Sequence, residues 1–241
     1  MKKLLKLLFM GTIVLSLSVT ALAKEKIYVG TNAEFPPFEY LEDGKITGFD
    51  MDLVQEIGKL VDADIKIVDM AFDGLLPALQ MKKVDLVIAG MTANEERMKT
   101  VSFTQPYYTA SQVIIVKEGN TSIKSFDDLK GRRVGVMLGF TGDMVVSEID
   151  GVKIERFNAA YAGIMALKAD KIEAVVLDSE PAKNYVAQNK GLVLADADAE
   201  QEEYAIAVRK NDKALLEKVE KALSELKENG TYDKLIQKYF N

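Results

Sequence analysis

The chain reads as an α/β protein with parallel-rich sheets, and three observations carry that reading. Short β-rich runs alternate with helical patterns along nearly the whole sequence. One run, Leu86-Val87-Ile88-Ala89-Gly90, is continuously apolar, as in a strand buried on both faces of a parallel sheet. Four clusters of polar and aromatic residues also fall just past the carboxyl ends of strands, where open α/β sheets bind ligands. Alternation at this spacing implies parallel strands joined by right-handed crossovers. A length of 241 residues allows one large domain or two modest ones.

The first residues stand apart from this pattern. Lys2, Lys3 and Lys6 form a basic start, an apolar run follows to about Val19, and Thr20-Ala21-Leu22-Ala23 closes it with small residues. This is the pattern of a secretory signal peptide cut after Ala23. The run is too short and too broken by Gly, Ser and Thr to favour a membrane span. No Cys follows it, so no lipoprotein-type anchor is expected, and a soluble exported protein points to a periplasm.

The elements of the mature chain follow in order. Ile27 to Gly30 reads as a strand, and Asp50 as the N-cap of a helix with Leu53, Ile57 and Leu60 on one face. Ile65 to Val68 is a strand, Leu75 to Met81 a helix, Leu86 to Gly90 a strand. From Tyr107 to Lys117 the pattern becomes one long extended run. A second α/β series begins with a strand at Val134 to Met137 and a helix near Thr141. It continues with a strand at Ile154 to Phe157, a helix at Ala160 to Lys168, and an apolar strand from Ala174 ending in Asp178. Leu192 to Leu194 is a short strand, and Tyr204 to Val208 one more extended piece. Two helices close the chain, Asp212 to Glu228 and Thr231 to Phe240, parted by the helix stop Asn229-Gly230. There is no fixed-period repeat and no Gly/Ser/Pro-rich linker, so two lobes would have to be joined by ordinary strands.

Composition excludes several chemistries. With no Cys, His or Trp there is no disulfide, thiolate nucleophile, Cys/His zinc site or histidine base. Apolar residues at 48% and charged residues at 28% are ordinary for a soluble globular protein. Loss of residues 1–23 removes three lysines and no acid, deepening the net charge from −6 to −9 (28 Lys+Arg against 37 Asp+Glu). So acidic a chain lacks the basic footprint that nucleic acid requires, and the same excess argues against adhesion to anionic lipid.

Four clusters carry chemistry. The first is Gly30 to Tyr40, with Asn32, Glu34, Phe35 and two of the five prolines, which fix the backbone and hold aromatic rings at a strand exit. The second is Met70-Ala71-Phe72-Asp73-Gly74, where Phe72 fits a core position as well as a ligand contact. The third is Gly90-Met91-Thr92 with Arg97. Thr92 can cap a helix whose free N–H groups favour an anion, and Arg97 could return there with a bidentate fork for a carboxylate. A surface Arg97 paired with Glu95 or Glu96 fits the same letters. The fourth is Asp178, a carboxylate at the end of an apolar strand, which needs a cation beside it or a helix to cap. Together the four supply two rings, an anion grip and an acid, the groups needed for a zwitterion with a side chain.

On these residues the chain resembles the periplasmic amino-acid-binding proteins of ABC importers, solute-binding protein family 3. The resemblance is carried by Phe35-Pro36-Pro37-Phe38-Glu39, Gly48-Phe49-Asp50-Met51-Asp52-Leu53, Phe72-Asp73-Gly74-Leu75-Leu76-Pro77, Gly90-Met91-Thr92 with Glu96-Arg97, Val134-Gly135-Val136, Thr141-Gly142, Val175-Val176-Leu177-Asp178 and Asn229-Gly230-Thr231-Tyr232. It covers essentially all of the mature chain. It implies a two-lobed periplasmic-binding-protein fold of type II, with lobe one at residues 24–110 plus 202–241, lobe two at 111–201, and crossings near Ala110-Ser111 and Glu202 to Tyr204. Arg97 and the Thr92 N–H would hold an α-carboxylate. Asp178, the Gly90 carbonyl and the Thr92 hydroxyl would hold an α-ammonium. Phe35 and Phe72 would sandwich the side chain, Thr141 would reach the carboxylate from lobe two, and Met137 would line the pocket. Arg97 and Asp178 would then lie on opposite lobes, so that a ligand bridging them favours closure.

The implied function is capture of a free L-amino acid and its delivery to a membrane permease by a monomer, with no cofactor, no metal and no catalysis. Two rings suit a flat cationic side chain such as a guanidinium, with Glu34 or Glu39 near its head. This favours arginine or another basic amino acid. Asn32, where several relatives have an Asp, would serve a glutamine amide equally well. A dehydratase on the same fold would need a poised acid from Glu34, Glu39 or Glu180, and a sensor lobe would require a membrane span and signalling domain further on.

Overall fold

The structure is a computed structural model that describes residues 24–195 and 201–240; the signal-peptide expectation for residues 1–23 lies outside the described residues. The first strand, β1 (Glu25–Thr31), opens onto a small antiparallel sheet of β2 (Glu34–Phe35), β3 (Glu39–Glu42) and β4 (Lys45–Thr47). Helix α1 (Phe49–Leu60), strand β5 (Ala63–Asp69), helix α2 (Leu75–Gln80) and strand β6 (Leu86–Val87) follow, then α3 (Glu95–Met98) and β7 (Val101–Phe103). The long extended run is β8 (Tyr108–Lys117). The second series is β9 (Arg133–Met137), α4 (Thr141–Ser147), β10 (Lys153–Phe157), α5 (Ala160–Lys168), β11 (Ala174–Asp178), α6 (Ser179–Gln188) and β12 (Leu192–Leu194). The chain returns through β13 (Gln201–Tyr204) and β14 (Ala207–Arg209) to α7 (Lys213–Glu228) and α8 (Thr231–Phe240).

Two larger sheets result. The first has the order β5-β1-β6-β14-β7, with β1 parallel to β5 and β6 and β14 antiparallel to β6 and β7. The second has the order β10-β9-β11-β8-β12. There β9 runs parallel to β10 and β11, and β8 runs antiparallel to β11 and β12. The parallel cores are the apolar runs seen in the sequence: Val29, Leu86 and Val87 in one sheet, and Val134, Val136 and Ala174 to Leu177 in the other, are all buried. Amphipathic helices cover them; α1 turns Leu53, Val54 and Ile57 inward and leaves Lys59 and Leu60 to solvent. Between the sheets, β8 and β13 run antiparallel side by side, pairing Ser111 with Gln201 and Tyr108 with Tyr204.

Several sequence expectations change. Asp50 is not an N-cap: α1 starts after Gly48 without a side-chain cap, and the Asp50 carboxylate turns into the core, where it accepts hydrogen bonds from the Gly90 N–H at 2.9 Å and the Tyr107 hydroxyl at 2.8 Å. Thr92 is not a cap either, because α3 is capped by Asn94, whose Oδ1 accepts from the Arg97 N–H. The run 204–208 is two strands in different sheets, β13 and β14. The β2–β4 sheet and β7 are additions; their two to four residues are too few to show a period.

Candidate functional site

The side chains at issue gather where the exits of β1, β6, β9 and β11 meet. Past β1, the Asn32 amide donates to the Met70 carbonyl at 3.0 Å and the Ala33 N–H to Asp69 at 2.9 Å, tying this loop to the end of β5. That places Phe35 inward, 1% exposed, and Glu34 outward. The Phe35 ring lies on Gly90, which adopts φ +51°, and a Cβ there would stand 2.6 Å from the ring, so glycine is required on both counts. The Gly90 N–H is held by Asp50.

From Gly90 the chain passes Met91, which is buried and whose carbonyl accepts from the Ala205 N–H. Thr92 comes next and forms a β-bridge with Tyr204. Asn94 then caps the single turn of α3 so that Arg97 folds back: its Nη1 donates to the Thr92 carbonyl at 2.8 Å. Its Nη2 donates across to the Gly139 carbonyl at 2.9 Å, and the guanidinium carbon stands 5.3 Å from the centre of the Phe72 ring. Arg97 is 5% exposed. Burial lowers it to about 10, with Asp178 and Glu202 opposing the shift, so it stays cationic at neutral pH.

The second sheet contributes from the other side. Met137, Phe140 and Thr141 come from the exit of β9, Asp178 from the end of β11. The Thr141 hydroxyl donates to the Thr92 hydroxyl at 3.0 Å. Met137 is buried and its terminal methyl faces Gly163 of α5, which places its tip among the packing of the second sheet. The Phe140 ring stands 3.9 Å from that of Phe72 and 5.3 Å from that of Phe35, centre to centre.

A polar cluster completes the site. Gln112 on β8 donates to Asp178 at 2.8 Å and to Glu202 on β13 at 2.5 Å. Thr92 donates to the other Glu202 oxygen at 2.7 Å, and the Tyr204 hydroxyl donates to Asp178. Asp178 is 2% exposed and Glu202 9%. Desolvation, then the charge of Glu202, pushes the Asp178 carboxyl well above its usual range, against the bonds from Tyr204 and Gln112. Two buried carboxyl groups therefore face one buried guanidinium.

Of the residues singled out in the sequence, Phe35, Phe72, Gly90, Thr92, Arg97, Thr141 and Asp178 come together here. Met91 is adjacent through its backbone, and Asn32 uses its amide on Met70. Glu34 is exposed on a groove of about 640 Å³ with Pro36, Tyr40, Tyr161 and Tyr185, outside the buried cluster. Glu39 is fully buried beside Asp50 and reaches no ligand cleft. Four side chains of the site were not among the sequence candidates: Gln112, Glu202, Tyr204 and Phe140. Two of them carried a signal: Gln112 is the polar residue heading an apolar run, and Phe140 is an aromatic at a strand exit, like Phe35 and Phe72. Among the described residues no group of three or more acidic side chains is placed to hold a metal, and no helix is long and apolar enough to cross a membrane.

The model of the bacterial extracellular solute-binding proteins, family 3, matches residues 27–241. The arginine-binding extracellular protein ArtP of Bacillus subtilis (strain 168) is 40% identical over 223 residues, which are 90% of this chain and 87% of that protein. An ancestral arginine-binding protein bound to arginine superposes with a TM-score of 0.88 at 46% identity, covering 90% of this chain and 99% of that one. An ancestral arginine-binding protein bound to glutamine gives 0.87 at the same identity and coverage. The two sheets and their helices are thus the two-lobed fold of periplasmic binding proteins. The chain belongs to the bacterial extracellular solute-binding proteins of family 3.

Proposed function

We propose that this protein captures a basic L-amino acid, arginine first, between its two lobes and delivers it to the permease of an ABC importer. The observation that carries the choice of ligand is the buried charge balance. Among the described residues, Arg97 is the one buried cation facing Asp178 and Glu202. Arg97 and Asp178 suffice for the carboxylate and ammonium of any amino acid, so the Glu202 carboxyl is an additional acidic group at the site, which suits a cationic side chain better than a neutral one. Glutamine brings no such charge; both ligands are named for the ancestral arginine-binding proteins, and the charge balance favours the cation.

In this reading Arg97 and the Thr92 N–H hold the α-carboxylate, with Thr141 joining from the second lobe. Asp178, the Gly90 carbonyl and the Thr92 hydroxyl hold the α-ammonium, and Phe35 and Phe72 flank the side chain. Lobe one comprises residues 24–110 and 202–241, lobe two residues 111–201, and the crossings run through β8 and β13. Supporting this division, β13 pairs with β8 at the place where the chain leaves one sheet for the other. Hinge closure follows because the ligand contacts both lobes and so stabilises the closed arrangement over the open one. The protein works as a monomer in the periplasm after cleavage behind Ala23, and it binds without turnover.

A thermal-shift screen against the twenty amino acids tests this directly, because a ligand that binds only the folded state raises its stability. Arginine should give the largest shift, then lysine. A larger shift with glutamine overturns the basic assignment, and no shift with any amino acid overturns the receptor reading.

A further inference from the structure

The turn between β9 and α4 touches Arg97, Thr92, Phe35 and Phe72, four of the groups to which the proposed function assigns a ligand. The Gly139 carbonyl accepts from Arg97 Nη2 at 2.9 Å. The Phe140 ring, 7% exposed, lies tilted against Phe72 with centroids 3.9 Å apart and packs on Phe35 at 5.3 Å. The Thr141 hydroxyl donates to Thr92. Gly139 also abuts Asp73, at 3.4 Å from where a Cβ would stand, so the turn is seated against the first lobe along its length.

We propose that the Gly139-Phe140 turn is an internal occupant of the amino-acid site. Its carbonyl takes the guanidinium hydrogen that an α-carboxylate would take, and its ring fills the slot between Phe35 and Phe72 that a ligand side chain would fill. The inference rests on the ligand positions proposed above. An incoming amino acid then competes with the protein's own backbone and ring. At the rings the exchange is near even, one stacked group replacing another. At Arg97 it is not, since a carboxylate makes a charge-assisted bidentate pair where the carbonyl makes a single bond to a neutral oxygen. Selectivity for the zwitterion therefore concentrates at the charged end. Every ligand pays the same toll for displacing the turn, and the apparent affinity falls by the fraction of protein that is self-occupied.

The test compares the wild-type chain with Phe140→Ala and Phe140→Leu, by titration calorimetry with L-arginine and with L-lysine and by small-angle scattering without amino acid. Removing the ring should tighten both ligands by one common factor, about tenfold for Ala and less for Leu. The Phe140→Ala protein without ligand should also be more expanded than the wild type. A ring that serves as a wall of the ligand pocket would instead weaken binding, unequally for the two ligands. Weaker or unchanged binding in both variants overturns the proposal, as does a wild type no more compact than Phe140→Ala. Phe140→Leu keeps the calorimetric comparison available should the smaller residue fail to fold. If wild type binds neither amino acid, the ligand assignment fails, and the scattering comparison still decides whether the turn holds the lobes together.

Discussion

Arg97 is satisfied by two neutral carbonyls, Thr92 and Gly139, and by no direct carboxylate partner among the described residues, which leaves its charge available to a ligand. Arg97→Ala should therefore weaken arginine binding by at least about 100-fold, the loss of two charge-assisted hydrogen bonds at about 1.5–3 kcal/mol each, read by calorimetry. Retained binding would place the carboxylate elsewhere. Asp178 sets a pH dependence. Its carboxyl is held above its usual range by burial and by Glu202, and only its ionised form can receive an ammonium as a counter-ion. Arginine affinity should fall on acidification and begin to fall at a higher pH than an ordinary carboxylate near 3.8 would cause; a flat profile between about pH 5 and 8 would remove Asp178 from the ammonium site. That Arg97, Thr92 and Asp178 lie together was legible in the sequence because each follows a strand whose apolar run ends abruptly. Glu202 was not, since what fixes its role is a bond to Thr92, 110 residues away.

At the scale of elements, the exit of β6 depends on backbone geometry more than on side chains. Gly90 combines a left-handed φ of +51°, a donor to Asp50 and a ring stacked on its bare face. Gly90→Ala should destabilise the fold by roughly 1–3 kcal/mol through strain and displacement of Phe35. It should weaken ligand binding as well, and urea unfolding with calorimetry would show both. Long periodic elements such as α1, α7 and the cores of β9 and β11 were legible, because burial on one helical face or along an apolar run writes itself into the residue order. The expected cap at Asp50 failed for an instructive reason. An acidic residue at the start of a helical pattern looks the same whether it caps the helix or ties distant strands. The single strand expected at 204–208 failed because Ala205 and Ile206 carry an equally apolar stretch from one sheet to the other.

For the molecule as a whole, the Glu39–Asp50 pair ties stability to pH. Both carboxyls are fully buried, and the Glu39 oxygens have no donor among the described residues. Desolvation and then Asp50 push Glu39 well up, and desolvation pushes Asp50 to about 6 despite the neighbouring Glu39 carboxyl and the bonds from Gly90 and Tyr107. With both groups raised, the folded state binds protons that the unfolded chain has released. The stability they contribute is thus complete below about pH 4 and is lost as pH rises through about 6 and beyond. Urea midpoints should fall between about pH 5 and 8, and Glu39→Gln, whose amide donates to Asp50 at every pH, should be more stable than wild type at about pH 8 and show a flatter curve. A Gln variant less stable at the higher pH would show that no proton is shared. The two-lobed architecture was legible from strand order and from resemblance; the charge pair was not, because nothing in the letters Glu39 and Asp50 says that they face each other.

The rim of the first sheet carries a last consequence. Phe38 packs edge-on against Phe49, Tyr108 and Tyr204, and Phe240 closes the group at 5.2 Å from Phe38, while the Tyr232 hydroxyl donates to the Tyr107 carbonyl. One aromatic cluster thus joins early, middle and late parts of the chain. Contacts so far apart in sequence form slowly, because the whole intervening loop must be ordered before they reward it. During synthesis, residue 38 emerges long before residue 240 can reach it. The surface that positions Phe35 therefore stays unfinished until residue 240 has been made.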